Sequence, residues 1–364
     1  MEHIEDNQNE DLTPKSEQQD VAPTPENVSN DTSEAIEHVE NDISFKNRID
    51  LTELQEGISL IKGEISKVIV GQKEMIDMLI ASILANGHSL IEGVPGVAKT
   101  ISAKLLAKSL DIGFSRIQFT PDLMPSDILG TSVFNMKNSE FEFKEGPIFS
   151  NMILIDEINR APAKTQAALF EVMEERQITI DGQKFIMELP FIVLATQNPV
   201  EQEGTYRLPE AQLDRFLFKI DIDYPNVDEE IEILNREQIL QGAEKTNQVS
   251  AHLSKEQINK FQGLVNQIMI ESHLIKYIAD MIVSTRNNPF LYLGASPRAS
   301  IAILKASKAF AAMSGRDFVT PEDIKRSAIP VLQHRVIVTP EREMEGVTTK
   351  QIIRQIIEAV EIPR

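Results

Sequence analysis

The stretch HSLIEGVPGVAKT at residues 88–100 limits the possible folds of this 364-residue chain more than any other part of its sequence. A short apolar segment leads into a loop rich in glycine and proline, and a Lys-Thr pair then opens the helical pattern ISAKLLAKSL. A strand, a tight loop and a helix in this order form a phosphate-binding loop, because backbone N–H groups and the positive helix end face the anion. Ala98 stands where the usual pattern has its second glycine. The stretch predicts a phosphate site; a Gly/Pro turn before an amphipathic helix is the alternative.

A second informative stretch, MILIDEINRAPAK at residues 152–164, ends an apolar segment with two carboxylates. Parallel sheets bind ligands at the carboxyl ends of their strands. We therefore expect Asp156 to hold Mg²⁺ through water beside Thr100, and Glu157 to orient and deprotonate an attacking water. Taken alone, the pair could also be a solvent-exposed acidic strand end.

Three further polar residues sit where strands or helices are predicted to begin or end. Asn198 follows the apolar segment 191–196, which should lie between the two strands above, and its amide would contact the γ-phosphate or position the water. An Asn-Pro turn is the alternative. Arg215 precedes a further apolar segment and Arg298 begins a helix, and guanidinium groups suit phosphate oxygens. For each arginine a structural salt bridge is the alternative.

The alternation of short apolar segments with helical patterns predicts the fold class. Five such segments up to residue 222 argue for an α/β protein with an open parallel sheet covered on both faces. Asn138-Ser139 breaks a predicted helix with a small β-hairpin, and Asp181-Gly182 is a strong hairpin turn. From Tyr224 onward only helical patterns follow, with predicted caps at Ser254 with Glu256 and at Thr320-Pro321-Glu322. The sequence thus predicts a nucleotide-binding domain over residues 46–223 and an all-helical lid over 224–364.

Residues 1–45 are rich in Asn, Gln, Glu, Asp, Ser and Pro. Residues 1–50 hold 14 Asp or Glu against three Lys or Arg, which is more than half of the net charge of −20. Such a segment has too few apolar groups to offset the entropy of ordering, so we predict a disordered acidic tail. It either only solvates the protein or acts as an interaction arm.

Composition excludes several classes of protein. The chain has no Cys, so it forms no disulfide and has no thiolate chemistry. The acidic balance argues against a nucleic-acid partner, and no apolar run approaches the roughly 20 residues that span a bilayer. The first residues lack the features of a signal peptide, so a cytoplasmic location is expected. The six His show no metal-ligand spacing.

Taken together, the motifs resemble those of the AAA+ ATPases, and of the MoxR family in particular, over about residues 50–345. The resemblance rests on GVPGVAKT, LIDEINRA, ATQNPVEQEGTYRLPEAQLDRF and GASPRA. It implies a Walker B pair at Asp156 and Glu157, sensor 1 at Asn198, an arginine finger at Arg215 and sensor 2 at Arg298. The implied nucleotide-binding residues are Ile69, Val70, Gly71 and Gln72 at the adenine and Gly93, Val94, Pro95, Gly96, Val97, Ala98, Lys99 and Thr100 at the phosphates.

The resemblance also implies what the protein does. It implies a five-stranded P-loop sheet with a lid, ATP and Mg²⁺ as cofactors, and a homo-oligomeric ring, expected to be hexameric. Hydrolysis would remodel, mature or chaperone client proteins, among them proteins with von Willebrand factor A domains. The finger would serve the neighbouring subunit, and Arg298 would close over the nucleotide of its own subunit. A nucleotide-gated scaffold without catalysis and, less favoured, a nucleic-acid motor are the alternatives.

Overall fold

The computed structural model describes residues 49–198, 206, 208–240 and 245–362, with only the backbone of residues 239 and 240. The predicted tail over residues 1–45 lies outside the described residues. Within them the strands are β1 (His88–Gly93), β2 (Phe114–Gln118), β3 (Gly130–Asn135), β4 (Glu140–Glu145), β5 (Met152–Asp156), β6 (Gln177–Ile180), β7 (Gln183–Ile186), β8 (Ile192–Gln197), β9 (Phe216–Ile222), β10 (Leu291–Leu293) and β11 (Ile337–Val338).

The described part of the chain holds thirteen α-helices. They are α1 (Thr52–Ser66), α2 (Lys73–Leu84), α3 (Lys99–Ser109), α4 (Pro125–Leu129), α5 (Ala163–Glu175), α6 (Glu210–Leu213), α7 (Val227–Leu240), α8 (Lys255–Gln267), α9 (Ser272–Arg286), α10 (Pro297–Met313), α11 (Pro321–Leu332), α12 (Pro340–Met344) and α13 (Thr349–Ala359). The predicted N-caps Ser254 and Thr320 are confirmed, with Glu256 and Glu322 in the first turns that follow. The side chains that reach back to the caps are those of Gln257 and Asp323, because each is the third residue of its helix.

The predicted five-stranded parallel sheet is confirmed, with the strand order β2-β5-β8-β1-β9. β8, the strand that precedes Asn198, lies between β5 and β1 as predicted. Alternate residues of each central strand enter different cores: Ile153 and Ile155 of β5 pack on one face, and Met152 and Leu154 on the other. Both faces are covered, which is why these strands read as continuous apolar runs.

Both predicted hairpins are present beside this sheet. β3 pairs with β4, and the short helix α4 precedes them, while no helix follows in the described stretch up to β5. β6 pairs with β7 across Asp181 and Gly182, whose φ values of 50° and 77° both lie in the left-handed region. Two left-handed central residues are what a type I′ turn needs, so Asp-Gly fits it.

The lid follows β9 and shares a core with the sheet. Helices α8 to α11 and α13 contribute buried side chains to the same cluster as α1, α2 and α3. An antiparallel ribbon of β10 and β11 is added to the helices that the sequence predicts for this region. One continuous apolar core therefore joins the lid to one face of the sheet.

Candidate nucleotide-binding site

The loop between β1 and α3 has the backbone conformation of a phosphate loop. Gly96 has a φ of 89° and Ala98 a φ of 62°, so both are left-handed. Ala98 thus adopts the conformation for which glycine is the usual residue, at a cost on the order of 1–2 kcal/mol. A Cβ on Gly93 would lie 2.9 Å from the carbonyl oxygen of Ile222, so this glycine permits the close approach of β9. Val97 is buried while Pro95 and Gly96 are exposed, which leaves the tip of the loop open to a ligand.

Lys99 and Thr100 begin α3 directly below this loop. The Lys99 ammonium donates to the carbonyl oxygen of Gly93 at 2.6 Å, so the side chain folds back across the loop. Burial lowers the pKa of Lys99, and the nearby carboxylates of Asp156 and Glu157 oppose that shift. Thr100 Oγ1 lies 3.5 Å from Asp156 Oδ2. The lysine, the hydroxyl and the acid pair therefore converge, as the two motifs predict.

Asp156 ends β5 as a buried carboxylate with partners on both neighbouring strands. It accepts a hydrogen bond from Arg116 Nε of β2 at 2.6 Å and one from Thr196 Oγ1 of β8 at 3.1 Å. The Thr196 hydroxyl in turn accepts from the backbone N–H of Glu157 at 3.0 Å. These contacts fix the carboxylate and the peptide that follows it.

Glu157 leaves the strand in a left-handed conformation, with a φ of 58°. Its Oε2 accepts from Gln118 Nε2 at 2.7 Å and pairs with Arg160 Nε at 3.0 Å. Sequence reasoning missed Arg116, Gln118 and Thr196. The signal for the first two is their alternation in SRIQFT, which puts both on one side of β2 at its carboxyl end.

Residues 69–72 lie beside the same edge of the sheet. Gly71 and Gln72 are left-handed, with φ values of 67° and 53°, and Ile69 is buried. Gln72 Nε2 donates to the carbonyl oxygen of Asp223 at 3.1 Å, one residue beyond Ile222, which pairs with Gly93. The segment expected to contact adenine is thus next to the phosphate loop. Asn198, directly after β8, is buried at this carboxyl edge.

Mg²⁺ takes few protein ligands and keeps waters and phosphate oxygens. Thr100 and Asp156 offer a hydroxyl and a carboxylate, which is a donor set that fits such an ion. In the described residues no group of three or more His, Cys, Asp or Glu could form a closed metal cage. The residues present therefore fit a metal that arrives with a nucleotide.

Arg215 and Arg298 lie together at the opposite edge of the sheet. Phe216 at the start of β9 pairs with His88 at the start of β1, so Arg215 precedes the amino edge. Five residue steps along β1 separate the two edges by about 17 Å. Arg215 donates to Glu174 Oε2 at 2.9 Å, and Arg298 donates to Glu174 Oε1 at 3.0 Å.

This pairing corrects one expectation. Arg298 does not lie over the phosphate loop of its own chain, because the lid places it with Arg215 on one carboxylate of α5. Both arginines line a cavity of about 480 Å³ with Arg176 and Lys305. Its cations outnumber its two carboxylates, Glu174 and Asp214, so the cavity suits an anion presented from outside the chain.

The strand order, phosphate loop, acid pair and lid together define a P-loop ATPase of the AAA+ class. Residues 88–218 match the family described as "ATPase family associated with various cellular activities (AAA)", and residues 283–356 match the AAA lid domain. No described helix is long and apolar enough to cross a membrane.

Comparison with three similar proteins identifies the family within the AAA+ class. YeaC of Bacillus subtilis, called uncharacterized, is 46% identical over 82% of this chain and 92% of its own. Chaperone MoxR1 of Mycobacterium tuberculosis is 40% identical over 83% of this chain and 81% of its own. The crystal structure of a protein from Cytophaga hutchinsonii is 44% identical with a TM-score of 0.81, covering 86% of this chain and 97% of that one. The chain belongs to the MoxR family of AAA+ ATPases.

Proposed function

We propose that this protein binds ATP with Mg²⁺ at the carboxyl edge of its sheet and hydrolyses it between neighbouring subunits of a ring. The observation that carries the proposal is the separation of the site into two parts. One part lies at the phosphate loop, where the lysine, the hydroxyl and the acid pair converge: Lys99, Thr100, Asp156 and Glu157. The other part lies at the opposite edge, where Arg215 and Arg298 share Glu174. Each part needs a second copy of the chain to be completed.

At the carboxyl edge, the chain's own residues bind and orient the nucleotide. The backbone N–H groups of residues 93–98 cradle the phosphates, and Lys99 turns from the Gly93 carbonyl to the terminal phosphates. Thr100 and Asp156 hold Mg²⁺, which when bound supplies positive charge to the phosphate oxygens. Residues 69–72 contact the base, beside the phosphate loop.

Glu157 orients the attacking water and accepts its proton. In this structure its carboxylate is held by Gln118 and Arg160, so these partners control when it can turn to the water. Asn198, at the end of β8, binds the γ-phosphate or the water from the neighbouring strand.

Arg215 and Arg298 serve the ATP of the next subunit. A guanidinium beside the γ-phosphate stabilises the charge that develops in the transition state. In a head-to-tail ring the amino edge of one sheet faces the carboxyl edge of the next, and closed head-to-tail contacts generate rings. We propose that the ring is a hexamer and that it acts in the cytoplasm.

The work done by hydrolysis is the remodelling or maturation of client proteins. Its support is the relative named Chaperone MoxR1. Clients with von Willebrand factor A domains, implied by the resemblance of the sequence, are the first to test. The two sheet-side hairpins carry exposed apolar residues, Phe134, Met136, Phe141 and Ile186, that could meet a client.

Two substitutions separate nucleotide binding from hydrolysis. Lys99→Ala should abolish ATP binding, because it removes the only side-chain cation of the loop. Glu157→Gln should retain binding and lower phosphate release by about 10²- to 10⁴-fold, because the amide cannot accept the proton. Binding is measured with a fluorescent ATP analogue, and Glu171→Gln, at an exposed position of α5, is the matched control.

Near wild-type phosphate release by Glu157→Gln would contradict its role as base. If the wild-type protein bound ATP without releasing phosphate, the nucleotide-gated scaffold would replace this proposal. Turnover that rises on addition of DNA or RNA would favour the nucleic-acid motor.

A further inference from the structure

The guanidinium of Arg335 is buried where the lid meets the start of β9. Its side chain is only 3% exposed. All five N–H donors of a guanidinium are used here. They bond to Asp214 Oδ1 (2.7 Å) and to the carbonyl oxygens of Asp214 (3.0 Å), Phe216 (2.5 Å), Leu217 (3.1 Å) and Val331 (2.5 Å).

Two of these carbonyl oxygens, those of Phe216 and Leu217, lie at a β-bulge. His88 of β1 pairs with Phe216, but the next residue, Ser89, pairs with Phe218, so Leu217 is the extra residue. A bulge disrupts the strand ladder locally and redirects the chain around it. Arg335 donates to the carbonyl oxygens of this extra residue and of Phe216 before it.

The two residues before Arg335 continue the contact along β9, which is an edge strand of the sheet. His334 Nε2 lies 3.0 Å from the Phe216 carbonyl oxygen, and Gln333 Nε2 donates to that of Lys219 at 2.5 Å. Three consecutive lid residues thus contact backbone carbonyl oxygens of one strand.

The contacts of Arg335 flank Arg215 without touching its side chain. They hold the residue before Arg215 and the two residues after it, so they fix the direction in which that side chain leaves the backbone. The hydroxyl of Ser296 also donates to Asp214 Oδ2 at 3.0 Å. Ser296 is the N-cap residue of α10, whose first turn carries Arg298. The Asp214 carboxylate is therefore hydrogen-bonded to the lid at two places, the N-cap of α10 and Arg335 in the segment after α11.

Stability alone is a weak reason for this arrangement. Burial lowers the pKa of Arg335, and the Asp214 carboxylate opposes that shift. A buried ion pair often contributes no more than a well-packed apolar pair would, because both charges lose their hydration. A bond set that uses every donor of one side chain does fix a single geometry.

We propose that Arg335 is a positioning residue that locks the Arg215 segment to the lid, so that Arg215 and Arg298 reach the neighbouring subunit's nucleotide as one unit. The inference rests on the proposed function, in which Arg215 serves the next subunit. A lid movement then moves both arginines together.

Arg335→Lys tests the inference, because lysine keeps a charge but cannot reproduce the planar fork of donors. We expect kcat to fall by about 10- to 100-fold, the loss that a displacement of about 1 Å can cause. KM should stay within about twofold, since the variant's own phosphate loop is intact. Mixing the variant with Lys99→Ala in rings verified by light scattering should restore turnover, because an intact finger then faces an intact ATP site.

Arg316→Lys is the matched control. Arg316 donates two hydrogen bonds of 2.7 Å each to Asp323 within the lid, so its replacement also breaks a fork. It should lower the melting temperature and leave kcat per ring unchanged. Should Arg335→Lys fail to fold, Asp214→Asn takes its place, with a smaller fall in kcat and the same rescue expected because the backbone contacts of Arg335 remain.

The outcomes separate the two proposals. Wild-type kcat in the folded variant, or a fall in kcat that Lys99→Ala does not rescue, overturns the positioning role, provided that Arg215→Ala is impaired and rescued in parallel. If Arg215→Ala alone turns over at the wild-type rate, the proposed function fails instead.

Discussion

Ala98 shows how the phosphate loop closes without its usual glycine. The residue has a left-handed φ of 62° directly before α3, and its backbone carbonyl accepts the first bond of that helix from Ser102. A Cβ in this conformation is disfavoured by roughly 1–2 kcal/mol, so the surrounding loop holds it there.

Replacing this alanine with glycine should therefore raise or preserve stability. The relief of strain exceeds or matches the extra unfolded-state entropy of glycine, about 0.4–1 kcal/mol. We expect Ala98→Gly to change the free energy of unfolding by about 0 to +1 kcal/mol. Ala107→Gly in the interior of α3 is the control and should lower it by at least about 0.5–1 kcal/mol. Chemical denaturation measures both, and a loss at Ala98 equal to that at Ala107 would refute the strain argument.

Single residues also show how far the sequence could predict the site. The phosphate loop and the acid pair are contiguous motifs at strand ends, so their meeting at one edge follows once the sheet is parallel. Gln118 contacts Glu157 only because β2 pairs with β5 across a crossover, and the strand order is not readable from the periodicity of either segment. The partner of Arg298 depends on how the lid packs on the sheet, which local patterns do not encode.

Helix α1 shows the same limit at the scale of an element. The spacing of its apolar residues predicts a helix, but it does not predict that this helix packs against Leu253, in the segment before α8. A Cβ on Gly57 would lie 2.9 Å from Leu253 Cδ2, whereas one on Gly63 would meet nothing within 4 Å. Gly57 therefore permits a close contact with Leu253, whereas no contact in the structure requires a glycine at position 63.

We expect the two substitutions in α1 to have opposite effects. Gly63→Ala should stabilise the protein by about 1 kcal/mol, the difference in helix propensity. Gly57→Ala gains the same propensity but forces the Leu253 side chain to shift, at an overpacking cost of about 1–3 kcal/mol, so its net effect should be about 0–2 kcal/mol destabilising. Thermal melts of both variants test the packing, and equal shifts of the same sign would show that Gly57 is not a close contact.

At the scale of the whole molecule, Glu64 joins α1 to the segment before α8. Its carboxylate accepts from Lys67 Nζ at 2.5 Å, from the Ser250 N–H at 3.0 Å, and lies 3.1 Å from His252 Nε2. The hydrogen bonds from Lys67 and Ser250 lower the pKa of Glu64 from 4.5 to about 2. The folded state therefore favours the ionised carboxylate.

This lowered pKa gives a pH dependence with a definite sign. The carboxylate's contribution to stability is complete above about pH 4.5 and is lost as the pH falls toward about 2. Glu64→Gln should be less stable than the wild type at pH 7, and the difference should shrink between pH 4.5 and 2. Denaturation at several pH values measures it, with Glu56→Gln on the exposed face of α1 as the control. A difference that stays constant across this range would argue against the shifted pKa.

The most direct test of the account is phosphate release by mixtures of Arg215→Ala and Lys99→Ala subunits. The first should bind ATP without turnover, and the second should lack the nucleotide, so each alone is inactive. Mixed rings join the intact loop of one to the intact arginine of the other, and activity should peak at intermediate mixing ratios. Wild-type turnover by Arg215→Ala alone would contradict the claim that ATP is hydrolysed between subunits.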